Sequence, residues 1–196
     1  MTDTQAKRID LRGAARDAVR AQVADQALVL FDEHGFDTLT VDDICQAVGI
    51  SARTFYRYFP AKEDVVVGDP VPFGRKIAAE FAARPAGEDP HAAIRAAMQP
   101  LVDALDSETG LRTLRVIMSA PSLRARHLEK HLAWARLLEP LALARVGGPE
   151  ESRRLRAHLL VQGALTCLDV AFDEWVTLGG TPPLDQVVDR TFAAWG

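Results

Sequence analysis

The sequence predicts an all-α fold in two parts, a bundle of short helices over residues 1–68 and a helical region over residues 69–196. Three observations predict it. Apolar residues recur at helical spacing almost everywhere, and strand-like alternation is almost absent. Capping residues and glycine or proline stops punctuate the chain. Gly68, Pro70 and Pro72 fall within five residues, in "GDPVP", and mark the division between the parts.

Val19, Val23, Ala27, Leu30 and Phe31 make the apolar stripe of the first helix, and Gly35 stops it. Thr40 caps the second, with Asp43 three residues on in a capping box that has Asp where Glu or Gln is usual. Val41, Ile44, Cys45 and Val48 form its buried face, and Gly49 ends it. Ser51 caps a third helix over residues 52–58. Pro60 closes it, because the residue before a proline is pushed out of the helical region. Lys62 begins a fourth, interrupted at "GDPVP", and residues 73–83 are helical again. The next opens at Asp89-Pro90, a cap followed by proline at the first helical position, with Ile94, Met98, Leu101 and Leu105 as its stripe. A short helix covers residues 111–118. A long one starts at Pro121, with a kink expected at Pro140. "GGPEES" precedes a helix over about residues 152–178, and "GGTPP" the last, over residues 184–195.

No apolar run approaches the roughly 20 residues that span a bilayer, and the N-terminus lacks the apolar centre of a signal peptide. The expectation is a cytoplasmic protein with no membrane partner. Cys45 and Cys167 stand alone among apolar neighbours, without the spacing of a disulfide framework or a metal motif, and read as core residues. Net charge is −4, which argues weakly against nucleic acid. Yet residues 48–62 hold three cations and no acid. Exposed charges act over only about 8–10 Å at physiological salt, so the local face outweighs the total.

That cationic stretch also holds the chain's two tyrosines, Tyr56 and Tyr58, either side of Arg57. Two short helices joined by Gly-Ile-Ser have the spacing of a helix-turn-helix, whose second helix enters the major groove. Phe55 and Phe59, at i and i+4, pack inward on Ile44 and Phe31. Arg53, Thr54, Tyr56 and Arg57 then point outward, with Tyr58 at the rim. Arginine pairs in bidentate fashion with guanine, while tyrosine hydroxyls and lysine hold phosphates.

Residues 36–67, "FDTLTVDDICQAVGISARTFYRYFPAKEDVV", resemble the DNA-binding region of TetR-family transcriptional regulators. The family pattern is met at Gly35-Phe36, Thr40-Val41, Ile44-Cys45, Gly49-Ile50-Ser51, Tyr56, Phe59 and Lys62-Glu63, with Cys45 for Ala and Ile50 for Val. The length and the count of nine helices agree over the whole chain. The resemblance implies a double-stranded DNA operator as partner, with phosphate contacts from Thr40, Tyr56, Tyr58 and Lys62. It also implies base-facing positions at Ala52, Arg53, Thr54 and Arg57, behind the Ser51 cap. Lys7, Arg8 and Arg12 are either a basic arm on the DNA backbone or a solubilising tail.

The C-terminal region resembles the acyl-CoA-like ligand-binding domain of MftR-type regulators, in "AARPAGEDPHAAIRAAM", "RVIMSAPSLRARHLE" and the terminal "FDEW…GG…PPLDQVVDRTFAAW". The resemblance implies a small lipophilic effector, including an acyl-CoA-like one, and a homodimer. The candidate lining is Met98, Leu101, Met118, Leu128, Leu132, Trp134 and Leu138, with core packing as the rival reading. Arg112 or Arg115 at a pocket mouth suits an anion. Gln162, Thr166, Asp169 and Asp173 follow one helix edge, which is either a solvated edge or, at Thr166, part of the pocket. Leu168, Phe172, Trp175, Val188 and Phe192 are the candidate dimer interface.

The main reading is a ligand-responsive repressor; the alternative is a DNA-binding regulator, repressor or activator, without an effector. Motifs of nucleophilic, P-loop or dinucleotide chemistry are absent, so neither an enzyme nor a cofactor is expected. His127 and His131, at i and i+4, have the spacing of metal ligands, but no nearby acidic or cysteine ligand completes a site and no Glu directly follows the first His, so no metal is expected.

Overall fold

The computed structural model describes residues 11–195. Eleven helical segments, and no strand, occur among the described residues: α1 (Leu11–His34), α2 (Val41–Val48), α3 (Ala52–Tyr58), α4 (Asp64–Val67), α5 (Pro70–Ala83), α6 (Pro90–Ala97), α7 (Gln99–Leu105), α8 (Glu108–Ser119), α9 (Pro121–Arg145), α10 (Glu150–Thr177) and α11 (Leu184–Trp195). The α4–α5 and α6–α7 pairs are each broken once; counted as single elements, they leave the nine expected.

The caps act as the sequence predicts. The Asp43 amide donates to Thr40 Oγ1, and the Thr40 amide to Asp43 Oδ2 at 2.8 Å. Gly49 takes the left-handed conformation at φ 72°, where a side chain would be strained. Ser51 Oγ accepts from the Thr54 amide at 3.2 Å.

Several boundaries differ from expectation, α4 and α10 by two residues at their starts. α5 starts at Pro70 rather than residue 73, because prolines in a first turn lack only N–H groups that would have no helical partner; Asp69 caps it through the Val71 amide. α8 starts at Glu108, three residues early, under a Ser107 cap. The helix from Asp89 breaks at Met98, where Pro100 interrupts the amide ladder. α9 runs on through Pro140.

Two cores result. The first joins Val23, Ala27, Leu28, Phe31, Ile44, Phe55, Phe59 and Val65 to Val116, Ile117, Ala120 and Leu123 of α8 and α9. It begins at Val23; Val19 is 41% exposed, and Leu28 fills the stripe instead. The second core joins α5 to α11 through Ile77, Phe81, Met98, Trp134, Leu138 and Leu168. α8 therefore serves both, with Leu114 in the second core and Val116 and Ile117 in the first. The expected division at residue 68 runs through the first core rather than around it. The Gly68–Asp69 break is also spanned by α9: Arg126 donates to Asp64 Oδ1 at 2.9 and 2.8 Å, and Trp134 Nε1 donates to the Pro70 carbonyl at 2.7 Å.

The expected dimer residues are corrected here. Leu168, Phe172, Trp175, Val188 and Phe192 are all buried, at 0–8% exposure, in the chain's own second core. The large aromatics hold α10 against α11 and are not left for a partner. The outward face of α10 instead carries Leu155, Leu159 and Val170, exposed at 60, 58 and 52%. α10 is the one described helix whose length and composition reach those of a membrane span. Its stripe from Ala157 to Trp175 is packed as a core helix against α9 and α11.

Candidate nucleic-acid interface and regulatory cavities

Phe55 of α3 and Phe59, which caps its C-terminus, are fully buried with ring centroids 5.4 Å apart, anchoring the helix on Ile44 and Phe31. The opposite face presents Arg53, Arg57 and Tyr56, the last 54% exposed, with Ala52, Thr54 and Tyr58 half-buried at its edges. Arg57 stacks over Tyr58 with its guanidinium carbon 5.0 Å from the ring centre. Arg20 of α1, which sequence reasoning left aside, lies over Phe59 at 5.6 Å and shares a surface groove with Tyr58. α3 itself carries two arginines and no acid. Thr40 and Ser51 are exposed, with hydroxyls engaged in the caps. Lys7 and Arg8 lie outside the described residues, as does the side chain of Arg12.

Lys62 is the departure. Its ammonium donates to the carbonyls of Phe36 at 2.8 Å and Leu39 at 2.9 Å, and sits 4.0 Å from the Phe36 ring centre. The turn between α1 and α2 leaves these carbonyls without helical partners, and Lys62 fills that need. The side chain braces that turn, whereas the sequence led one to expect it to face a phosphate.

Two cavities lie between α8, α9 and α10, with Leu114, Ile117 and His127 as their common wall. One, of about 210 Å³, reaches Val67 of α4 and is lined by Leu101, Lys130, Trp134 and Phe172. The other, of about 280 Å³, is lined by Met118, Arg124, Leu128, Asp169 and Asp173. Leu101 and Trp134 line the first of these cavities, and Met118 and Leu128 the second. Met98 and Leu138 do not: both are 0% exposed and belong to solid core. Leu132 is exposed. Arg112 and Arg115 do not guard a mouth; both turn to Asp32 of α1, at 3.3 and 3.2 Å, where a carboxylate waits across the α1–α8 contact. Thr166 and Gln162 line a separate surface groove with Trp195.

The shared wall carries a polar cluster. His127 Nε2 lies 2.9 Å from Asp169 Oδ1 and His131 Nδ1 3.2 Å from Asp169 Oδ2. Burial would raise the Asp169 pKa, but hydrogen bonds from the two imidazoles outweigh it and hold the carboxyl at about 2. Burial pushes the His127 imidazole down, against the Asp169 hydrogen bond. Burial likewise lowers the Lys130 ammonium to about 8, and this group lies 5.0 Å from the Trp134 ring centre. The expectation that no acid completes the histidine pair is thus overturned. Asp169 comes from α10 across the packing of α9, a proximity that local spacing does not carry.

Residues 23–67 match the family model of bacterial regulatory proteins, tetR family. The mycofactocin biosynthesis transcriptional regulator MftR of Mycobacterium tuberculosis is 31% identical over 144 residues, which cover 69% of this chain and 70% of that protein. The chain belongs to the TetR family. It is accordingly a transcriptional regulator with a DNA-binding helix-turn-helix. The HTH-type transcriptional regulator TcmR of Streptomyces glaucescens is 29% identical over 136 residues, 65% of this chain and 60% of that protein. Among solved structures, the fatty acid degradation regulator FadR of Bacillus halodurans shares the fold, with a TM-score of 0.65 and 22% identity over 90% of this chain and 93% of that one. A Thermus thermophilus FadR solved with lauroyl-CoA gives a TM-score of 0.54 and 20% identity, over 90% and 92%.

Proposed function

We propose that this TetR-family member is a ligand-responsive repressor that binds a palindromic operator as a homodimer and leaves it when a small lipophilic effector enters the cavities beside α8. Arg53 and Arg57 read base edges, with Ala52 and Thr54 beside them. Tyr56, Tyr58 and Thr40 settle the helix on phosphates, and Arg20 adds to the same field. Two chains meet through the outward face of α10, where Leu155, Leu159 and Val170 stand at helical spacing.

The observation that carries the switch is the double duty of α8. Its Val116 and Ile117 belong to the DNA-binding core, while Leu114, Ile117 and Met118 line the cavities. At about 210 and 280 Å³ each cavity lies below the roughly 300–1,000 Å³ of usual ligand sites. An effector that joins them displaces their common wall. That shift moves α8 against α1, through the Asp32 pairs, and changes the separation of the two α3 helices. The ligand then favours the DNA-incompetent arrangement by its differential affinity, and a tenfold loss of operator affinity needs only about 1.4 kcal/mol.

The small size of the cavities also favours the second reading, a regulator without an effector. Titration of acyl-CoAs, the first class to test given the lauroyl-CoA in the Thermus thermophilus FadR, and of free fatty acids separates the two. Trp134 fluorescence reports cavity entry, and operator anisotropy reports release. A quench with release supports the switch; a quench with unchanged DNA affinity rejects it. No quench with any lipophilic ligand favours the second reading.

A further inference from the structure

His127 and His131 stand one turn apart on α9 and direct their imidazoles to one carboxylate on α10. The ring centroids are 4.5 Å apart, and one ligand atom from each of the three residues lies within 4.8 Å of the others. Both histidines are buried and Asp169 half-buried. The outer nitrogens, His127 Nδ1 and His131 Nε2, are buried with no hydrogen-bond partner.

We propose that His127, His131 and Asp169 form a binding site for a divalent transition-metal ion, with zinc as the reference ion. Metal–ligand bonds of about 2.0–2.2 Å place tetrahedral ligands roughly 3.3 Å apart. The nitrogen–oxygen separations of 2.9 and 3.2 Å, one to each carboxylate oxygen, lie within a few tenths of that, and with the three ligand atoms within 4.8 Å of one another the ion enters once the side chains close by up to about 1.5 Å. With the inner nitrogens of the metal-free cluster donating to Asp169, each imidazole keeps its outer nitrogen without a partner. For the metal to bind, each ring proton moves to the outer nitrogen, which is free to take it, and the inner lone pair goes to the ion. The balance needs no net proton release. Two imidazoles and a carboxylate suit zinc, cobalt or nickel, whereas magnesium and calcium favour oxygen ligands.

Three protein ligands leave a coordination position open, as in metal sites that accept an exogenous group. His127 and Asp169 also line the 280 Å³ cavity, from which water or an anionic ligand would complete the sphere. Lys130, adjacent to His131 in sequence, is the cation whose field reaches the cluster, and it opposes a divalent ion. Removing its charge therefore tightens metal binding, which a merely structural hydrogen-bond cluster has no reason to show.

The test uses the untagged full chain, stripped with EDTA and titrated with CoCl2 and with ZnCl2 against a fluorescent chelator. DNA is absent, so the result is independent of the repressor reading. The expected result is one ion per chain, visible cobalt bands of low-coordinate geometry, and a zinc affinity that falls at least about tenfold in Asp169→Asn and His131→Gln. Lys130→Leu should tighten it. Circular dichroism identifies any variant that fails to fold, in which case the wild-type cobalt spectrum and Lys130→Leu carry the decision. Wild-type cobalt with the spectrum of the aqueous ion, or zinc affinity equal in wild type and a folded Asp169→Asn, would overturn the proposal.

Discussion

Lys62→Ala is expected to loosen the DNA-binding core without altering how that core meets DNA. The lysine donates two hydrogen bonds, at 2.8 and 2.9 Å, and faces the Phe36 ring at 4.0 Å. A hydrogen bond from a charged group contributes roughly 1.5–3 kcal/mol, and a partly exposed cation–π contact about 0.5–1 kcal/mol. The lower ends sum to about 3.5 kcal/mol. Lys62 is half-buried, so water takes over part of its role, and the expected loss is about 2–3 kcal/mol. With a urea dependence of roughly 2 kcal/mol per molar, the unfolding midpoint should fall by about 1–1.5 M. Lys62→Met, which keeps the apolar stem, should lose nearly as much. Urea unfolding followed by far-ultraviolet circular dichroism gives the stability, and operator affinity against salt gives the phosphate count. A phosphate-binding lysine would behave in the opposite way: stability unchanged within about 0.5 kcal/mol, and a salt slope reduced by about one. That pair of results would refute the brace.

Arg53→Ala and Arg57→Ala should each cost about 1–3 kcal/mol of operator binding and relax specificity at one position, whereas Tyr58→Phe should weaken all sequences alike; a binding selection on each variant decides. Leu159→Asp should give a folded monomer by sedimentation, whereas Trp175→Asp should unfold the chain, since it places an unpaired charge in the core. Asp32→Ala should leave effector binding by Trp134 fluorescence intact while reducing operator release, because it cuts both α1–α8 ion pairs. Hydrogen bonds from the Thr40 side chain and backbone lower the Asp43 pKa below its ordinary 3.8. The unfolded state then binds more protons, so this contribution is present above about 3.8 and lost as pH falls through the folded value. Acid unfolding of Asp43→Ala should lack that component.

The N-terminal elements were legible because their signals are local. Thr40, Asp43, Gly49, Ser51 and Pro60 each act within four residues of where they stand, and α2 and α3 fall where those residues put them. The break at residues 68–69 was legible as well, but not what spans it, since Arg126 and Trp134 arrive from more than 60 residues away. The same limit explains Lys62, Arg112, Arg115 and Asp169. Each has its chemistry written in its side chain and its partner on another helix. The dimer residues failed for a different reason. Periodicity finds an apolar face without saying whether the chain or a second copy covers it, and in α10 the larger stripe faces inward.

On the proposed function, α3 reads operator DNA in a two-fold arrangement. The most direct measurement is selection of binding sites by the full chain from a pool of random duplexes, repeated with Arg53→Ala/Arg57→Ala. The expected result is enrichment of an inverted repeat with half-sites about one DNA turn apart or somewhat more, roughly 34–36 Å at the least, and its loss in the double variant. Failure to enrich any sequence, or the same repeat selected by the folded double variant, would contradict it.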